Sequence, residues 1–410
     1  MDKLRFKDVN GEDYPQSKTV KYKTFLKIPR KEKPNSIDKG KILSVQLHRR
    51  GARFSENTDS LSIGSTTYYS RKSGQFIYGK QNFFNGAFDI LGDHLDGGLS
   101  SGDVPSLDIN EKVIDKTYFL NYISRASYYK NIEKFTSGTG SKRLHEEQLL
   151  DLTIRIPVLS EQEKIGGFLN SFNKLILKQQ EKIDLLKELK KGYLQQMFPS
   201  KDSSIPKIRF KKFTDAWEQC KYGDMADYKK GPFGSALKKE IFVPKSKDSI
   251  KVYEQQNAIN KNWTLERYFI TKSYANELKA FETHSGDILV SCAGTIGEIY
   301  ELPSNSEPGV INQALMRVRV NEKIVSKKLY KLLFSSMIDK FSKEHSNGSA
   351  MKNIPPFADL KPMIEMVPSI DEQDLIGEYF TQLDNLITLH QLKLKSLEDL
   401  KQGYMQRLFL

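Results

Sequence analysis

The chain has little cysteine. Cys220 and Cys292 are the only two in 410 residues, too few for a disulfide framework or a cysteine-based zinc site. It has no apolar run near the ~20 residues of a membrane-spanning helix. Its first residues, MDKLRFKDVN, lack the apolar stretch of a secretory signal, so a cytoplasmic protein is expected. Histidine is sparse: the six at 48, 94, 145, 284, 345 and 390 show no metal-ligand spacing, and surface or core roles suit them better. Acidic residues are outnumbered, 51 against 64 Lys and Arg, and form no pattern suited to acid–base chemistry. The remaining balance is +13 with a pI near 9.3, which points to a polyanionic partner, nucleic acid before a membrane surface. Apolar and aromatic shares of 38% and 11% are those of a globular chain.

What the chain does have is a long internal repeat. Residues 157–198, PVLSEQEKIGGFLNSFNKLILKQQEKIDLLKELKKGYLQQMF, return as residues 368–409, PSIDEQDLIGEYFTQLDNLITLHQLKLKSLEDLKQGYMQRLF. The two align without a gap at a constant offset (368 − 157 = 211). Pro157, Glu161, Gln162, Ile165, Gly166, Gly192, Tyr193 and Phe198 are among the positions with identical partners. Such a repeat implies two similar halves, each ending in the same segment.

That segment reads as a helix. Ser160 with Glu163, and more weakly Asp371 with Asp374, have capping-box spacing. Apolar residues step by three and four through Ile165, Leu169, Phe172, Ile176, Ile183, Leu186, Leu189, Tyr193 and Met197. The second copy steps through Ile376, Phe380, Leu383, Ile387, Leu394, Leu397, Leu400, Tyr404 and Leu408. This is a coiled-coil seam. A helix of about 38 residues is nearly 57 Å long and cannot bury its seam on itself, so the other copy is the expected partner. Gln179 and His390 interrupt the seams at equivalent levels, either as a register-fixing polar layer or at a wet edge. Gly192 and Gly403, poor helix formers, are either close-approach points or fraying ends.

The expected organisation is a globular domain over residues 1–156, a helical spacer over 157–200, a second globular domain over 201–366 and a second spacer over 367–410. KLRFKD at 3–8 and KIRFKK at 207–212 open the two halves alike, and PSKDSSIP at 199–206 has linker composition. In the first half KILSVQL (41–47) reads as a strand. Residues 61–84 interleave Tyr68, Tyr69, Arg71, Lys72, Tyr78 and Lys80, a pattern suited to phosphate and base contacts or to a solvated strand–turn–strand. SGTGSKRL (137–144) brings Lys142 and Arg143 onto flexible backbone. In the second half YKKGPFGSALKKE (228–240) is a Gly/Pro turn among lysines, and VYEQQNAIN (252–260) clusters amides, the groups that bond adenine edges but also common surface polars. GDILVSCAGTIGEIYEL (286–302) reads as a hairpin turning at Ala293–Thr295, and VINQALMRVRV (310–320) as one strand of period two. SNGSAMKNI (346–354) mirrors SGTGSKRL just before the helical segment.

Motifs that look catalytic fail on inspection. GQFIYGKQ (74–81) has G-x4-G-K spacing, but Gln81 stands where a magnesium-binding Ser or Thr is needed. NIPPF (353–357) departs from the Asn-Pro-Pro-Phe of adenine methyltransferases by the inserted Ile354. PFGSA (232–236) is too weak a glycine-rich turn for S-adenosylmethionine. No catalytic centre is legible.

Two P-x3-EQ-x2-IG segments with helices ending in KGYLQQMF and KQGYMQRLF, the PKIRF…WEQCKYGD opening of the second half, and GDILVSCAGTIG followed by INQAL together resemble the specificity subunits of type I restriction–modification systems. The resemblance covers nearly the whole chain. PQSKTVKY in the first half fits loosely, and Cys292 stands where a basic or small residue is expected. The resemblance implies an α/β (α+β) tandem repeat: two target recognition domains joined by long helices that pair as an antiparallel coiled coil about a pseudo-twofold axis. Each domain would read one half of a split DNA target, with helix length ruling the gap. The subunit would hold no cofactor and do no catalysis. It would dock two methyltransferase subunits, which use S-adenosylmethionine to methylate adenine N6, and restriction subunits, which use ATP and magnesium. On this reading Lys72, Lys142, Arg143, Lys238, Lys239 and Lys352 contact phosphate, and Gln256, Asn257, Asn312 and Gln313 read base edges. Tyr68, Arg71, Lys80, Ser235 and Thr295 complete the expected DNA contacts. The rivals are a stand-alone methyltransferase or nuclease with an unrecognised site, and a structural coiled-coil DNA-binding adaptor.

Overall fold

A computed structural model describes residues 4–56, 64, 66–136, 142–200, 203–344 and 354–409. The chain divides into two compact units, Met1–Lys182 with His390–Leu410, and Ile183–Leu389. Each unit therefore holds a globular module and a stretch of both long helices.

In the first unit β1 (Lys18–Lys21) pairs antiparallel with β10 (Thr153–Ile156), so the strand entering the module meets the strand leaving it. Between them β2 (Leu26–Lys27), β6 (Phe76–Tyr78), β7 (Phe88–Ile90) and β9 (Ser106–Ile109) form a sheet in the order β2-β9-β6-β7. Two ribbons, β3 (Leu43–Val45) with β4 (Ala52–Phe54) and β5 (Tyr68–Ser70) with β8 (Leu99–Ser101), complete the β structure. The helices are α1 (Lys116–Ile123), α2 (Ala126–Tyr129), α3 (Glu146–Asp151) and the first part of α4 (Leu159–Gln196). Phe119 of α1 anchors the core, edge-on to Tyr22, Phe25 and Phe76 at 5.4, 5.3 and 5.1 Å. The same core takes in Ile165 and Leu169 of α4 and Met405 and Leu408 of the last helix.

The second unit repeats the frame. β11 (Glu218–Lys221) pairs with β20 (Ile364–Val367) as β1 does with β10. After α5 (Tyr222–Met225), β12 (Ala226–Lys230), β16 (Ile288–Ser291), β17 (Ile299–Glu301) and β19 (Leu315–Val320) form a sheet in the order β12-β19-β16-β17. That matches the first unit strand for strand. The unit adds a second sheet, β14 (Tyr268–Thr271), β13 (Ser249–Tyr253), β18 (Gly309–Ile311) and β15 (Glu282–Thr283), with β13 and β18 parallel. Its helices are α6 (Gln255–Ile259), α7 (Lys272–Glu277), α8 (Lys327–Glu344), α9 (Phe357–Leu360) and α10 (Ile370–Leu408).

Two expectations need correction. Residues 310–320 are two strands in different sheets, because Asn312 Oδ1 accepts from Ala314 N at 3.1 Å and turns the chain. In β19 the expected alternation holds: Met316, Val318 and Val320 enter one core. Helices α4 and α10 begin one residue before Ser160 and Asp371, with Glu161 N and Glu372 N already donating to Val158 and Ser369 carbonyls. Ser160 and Asp371 thus lie within the first turns. Within the amide cluster, residues 255–259 form α6.

The long helices pair antiparallel within each unit. In the first, Phe168 packs edge-on to Tyr404 at 5.0 Å and Lys401 Nζ reaches Asn173 Oδ1 at 2.6 Å. In the second, Tyr193 meets Tyr379 at 5.4 Å and Lys190 meets Asp384 at 2.6 Å. Ile165, Ile376, Leu383 and Ile387 are buried, and Phe172, Ile176, Leu186, Leu397 and Tyr404 half-buried. Leu189 and Leu400, expected in the seam, are 46% and 53% exposed. Gln179 is buried and its Nε2 donates to His390 Nδ1 at 2.6 Å and His390 O at 2.9 Å. That interlock is a polar layer rather than a wet edge, and desolvation, with the nearby Lys182 and Lys393, holds the His390 pKa below its ordinary value.

Candidate nucleic-acid interface

The P-x3-EQ-x2-IG segment works as a staple, and it does so twice. Glu161 is buried and accepts from Arg5 Nε and Nη2 at 3.2 and 2.6 Å. Glu372 is fully buried and accepts from Arg209 Nε and Nη2 at 2.7 Å each. The arginines come from KLRFKD and KIRFKK, so the similar beginnings of the halves fasten to the similar ends. Gln162 donates to the carbonyls of Val113 and Pro157 and accepts from Asp115 N. Gln373 does the same with Ile324, Pro368 and Ser326. A buried amide with both ends satisfied fixes the angle between module and helix. The glycine is steric. A Cβ on Gly166 would lie 2.4 Å from Asp115 Oδ1, and one on Gly377 would lie 2.5 Å from Lys328 Cβ. These are the starts of α1 and α8, which sit directly on the first turns of α4 and α10.

In the second unit four loops meet at one edge of the sheets. Gly231 is pressed against the Asn312 turn so closely that a Cβ would lie 1.9 Å from Asn312 O. Gly234 lies beside the Gln313 amide and Gly294 beside that of Gln255. Cys292 N donates to Ala314 O at 2.7 Å. The chain leaving β12, the β16–β17 connection, the 312–314 turn and α6 therefore share this edge. Ser235, Lys238, Lys239, Gln256, Thr295 and Gln313 are exposed there, and Asn312 is half-exposed. Gln256 Oε1 accepts from Asn260 Nδ2 at 2.9 Å. Asn257 is a correction: it is 2% exposed, accepts from Glu254 N and donates to the carbonyls of Asn262 and Leu265, so it caps α6 and cannot reach a base. Sequence reasoning passed over Gln255, whose Oε1 is buried without a hydrogen-bond partner at this edge. It also passed over Phe233, 89% exposed. Each stood in a quoted motif, but only tertiary contacts aim them.

The first unit offers a different edge. An open groove of about 570 Å³ is lined by Thr66, Thr67, Tyr68, Tyr69, Lys80 and Asp103 among others. Lys80 stands in β6's continuation where Cys292 stands after β16: Lys80 N donates to Asp103 O as Cys292 N does to Ala314 O. Burial pushes the Cys292 thiol up to about 11, so it stays protonated there. Lys80 pairs with Glu146 at 2.8 Å, Lys72 with Glu32 at 3.2 Å, Lys142 with Glu133 at 2.8 Å and Arg143 with Asp103 at 3.2 Å. Arg71 is a correction: its guanidinium is buried, donating to Ser100 Oγ, Ser106 Oγ and the carbonyls of Ser101 and Val104. Burial lowers it to about 10, and it holds β5, β8 and β9 together rather than facing solvent. Tyr68 is also buried, at 8% exposure. Lys352 lies outside the described residues. Among the described residues no helix is long and apolar enough to cross a membrane.

Comparison with known proteins identifies the family. The profile of the type I restriction modification DNA specificity domain matches residues 106–188 and 214–399. The specificity subunit of type I restriction enzyme MjaVIII from Methanocaldococcus jannaschii is 25% identical over 321 residues, 76% of this chain and 73% of that protein. The putative type I restriction enzyme MjaX specificity subunit of the same organism is 24% identical over 302 residues, 71% of this chain and 67% of its own length. Among solved structures, the crystal structure of the type I system S subunit from M. genitalium shares the fold, with a TM-score of 0.59 at 14% identity over 100% of this chain and 99% of that one. A chain from a study of type I R-M complex assembly aligns with a TM-score of 0.53 at 14% identity, covering 96% and 98%. With the profile matching well over half of its residues, and with the duplicated staple and paired helices in place, this chain belongs to the family of type I restriction–modification specificity subunits.

Proposed function

We propose that the chain reads a bipartite duplex target, one half with each unit, and delivers methyltransferase subunits to it. The observation that carries this is the contrast inside each unit: an identical staple to the helices, and an unlike loop edge. A reader of two different half-targets needs that combination. In the second unit Gln256, Asn312 and Gln313 read base edges, and Lys238 and Lys239 contact phosphate. In the first unit Lys80, Lys72, Lys142 and Arg143 exchange their carboxylate partners for phosphate.

Two equivalent docking surfaces for two methyltransferase subunits are supported by apolar residues exposed at matching positions of the two helices. Leu175 and Leu386 are 51% and 39% exposed, and Leu189 and Leu400 are 46% and 53%. Near the latter pair, Gly192 and Gly403 have nothing within 4 Å of where a Cβ would stand. Exposed leucine beside bare helix backbone suits a partner that approaches closely. S-adenosylmethionine is bound by those methyltransferase subunits, and ATP and magnesium by restriction subunits that join for cleavage. The chain itself is non-catalytic and works in the cytoplasm, where the DNA is.

The test is a methylome comparison of the host with and without this gene. Loss of one split adenine motif on deletion is the expected result. An unchanged methylome in a host whose type I methyltransferase is expressed overturns the reading. Methyl transfer by the purified chain alone favours the stand-alone enzyme, and DNA binding without sequence preference favours the structural adaptor.

A further inference from the structure

Phe233 is 89% exposed in an otherwise polar, cationic loop. A bare aromatic ring in water is unfavourable, and burying it against an apolar surface is favourable. The backbone that carries the ring is anchored on both sides. Before it, Pro232 is buried and Gly231 N donates to Leu315 O at 2.9 Å. After it, Ala236 N donates to Phe233 O at 2.9 Å, Tyr274 Oη donates to Ala236 O at 2.8 Å, and Leu237 enters an apolar core. The loop is thus anchored at its base and presents the ring outward. Its neighbours are the Gln313 amide, reached from Gly234, and the flanking Lys229, Lys230, Lys238 and Lys239.

We infer that Phe233 is a wedge that inserts into the base stack of the half-target read by the second unit. This rests on the DNA-reading role proposed above and adds to it a residue and a mode of contact. Lysines to either side hold phosphates, amides beside the ring read base edges, and the ring enters between base pairs, kinking the duplex as apolar wedges do. The first unit has no counterpart of this wedge at the corresponding position. The chain leaving β2 at the corresponding sheet edge, residues 28–36, carries Arg30, Lys31 and Lys33 and no aromatic residue. The two half-targets are therefore deformed differently: kinked in one, held by backbone contacts in the other.

The test uses the full chain assembled with the methyltransferase subunits of its own system. A duplex target is first selected from a random DNA pool, and 2-aminopurine is then placed at each base of both half-targets in turn. The expected result is a several-fold fluorescence rise at a single step of the second unit's half-target on binding, and none in the other half. Phe233→Ala should abolish that rise and weaken binding by roughly 5- to 150-fold, the range for loss of one base–aromatic stack. Phe233→Trp should restore both. If Phe233→Ala binds the selected duplex as tightly as wild type, or loses affinity where wild type shows no unstacking signal, the wedge is overturned while the specificity role stands. If no motif emerges from selection with the wild-type assembly, the specificity role falls and the wedge with it.

Discussion

In one unit Arg5 closes on Glu161; in the other Arg209 closes on Glu372, with the same two guanidinium nitrogens. Gln162 and Gln373 spend their amides on matching carbonyls and amides, and Gly166 and Gly377 each lie under the start of a helix. The β2-β9-β6-β7 sheet has the order of β12-β19-β16-β17. At the loop edges this likeness ends. The first unit's cations are paired with its own carboxylates, whereas no ion pair among the described residues of the second involves Lys238 or Lys239. The second unit inserts a whole extra sheet. The difference teaches that the duplicated parts are held at the staple by close packing and buried hydrogen bonds, while the edges face outward and are free to diverge.

The largest effects should come from the staple. Glu161→Ala and Glu372→Ala each leave an arginine without its buried carboxylate, and each should lose about 3–5 kcal/mol in urea unfolding of the full chain. Arg5 has readier access to water than Arg209, with side-chain exposures of 24% and 12%, so Glu372→Ala should be the worse. A variant at either position that unfolds like wild type would break the equivalence. Next come the glycines. Gly166→Ala and Gly377→Ala force a methyl into occupied space and should cost about 1–3 kcal/mol. Gly192→Ala and Gly403→Ala meet nothing and should stabilise the chain by up to about 1 kcal/mol, while weakening assembly with methyltransferase in sedimentation or pull-down titrations.

The readers can be separated from the phosphate contacts by salt. Gln256→Ala should reduce discrimination at one target position by about 1–3 kcal/mol without altering the salt slope. Lys238→Ala should weaken binding to every sequence and lower the slope by about one. An unchanged base preference would remove Gln256 from the readers. The smallest effect concerns Gln179 and His390. Because the folded pKa of His390 is lowered, the unfolded chain binds the extra proton first. Stability should be full above the ordinary histidine value near 6.5 and fall as pH drops through the lower folded value. Protonation also removes the Nδ1 acceptor that Gln179 uses. His390→Gln should flatten that part of the melting-temperature profile; an equal slope in the variant would exclude the pair as its source.

Much of this frame was legible in the sequence. Apolar steps over two long uninterrupted segments leave little alternative to paired helices, and the gapless offset of 211 marks the two segments as equivalent elements. The 286–302 hairpin was legible because an apolar run, a glycine turn and a return strand lie side by side. The break at Asn312 was not, since a single side-chain turn to Ala314 N interrupts an otherwise regular alternation. Nor was the role of Gln162, whose partner Asp115 lies 47 residues upstream. Arg71 and Asn257 read as exposed contacts because their residue types favour that role. Burial is decided by neighbours such as Ser100, Ser106 and Leu265 that local sequence does not mark. Leu189 and Leu400 continued a seam by period alone, though at their level the paired helices leave that face open.

The most direct test of the central claim is a module exchange. Residues 1–156 are replaced by the corresponding segment of another specificity subunit, leaving both helices and the second module untouched, and the methylated motif is sequenced in a host carrying the matching methyltransferase. Independent readers on a shared scaffold predict that one half of the motif changes while the other half and the gap remain. A change in both halves would contradict that account, because specificity would then belong to the assembled chain and not to its units.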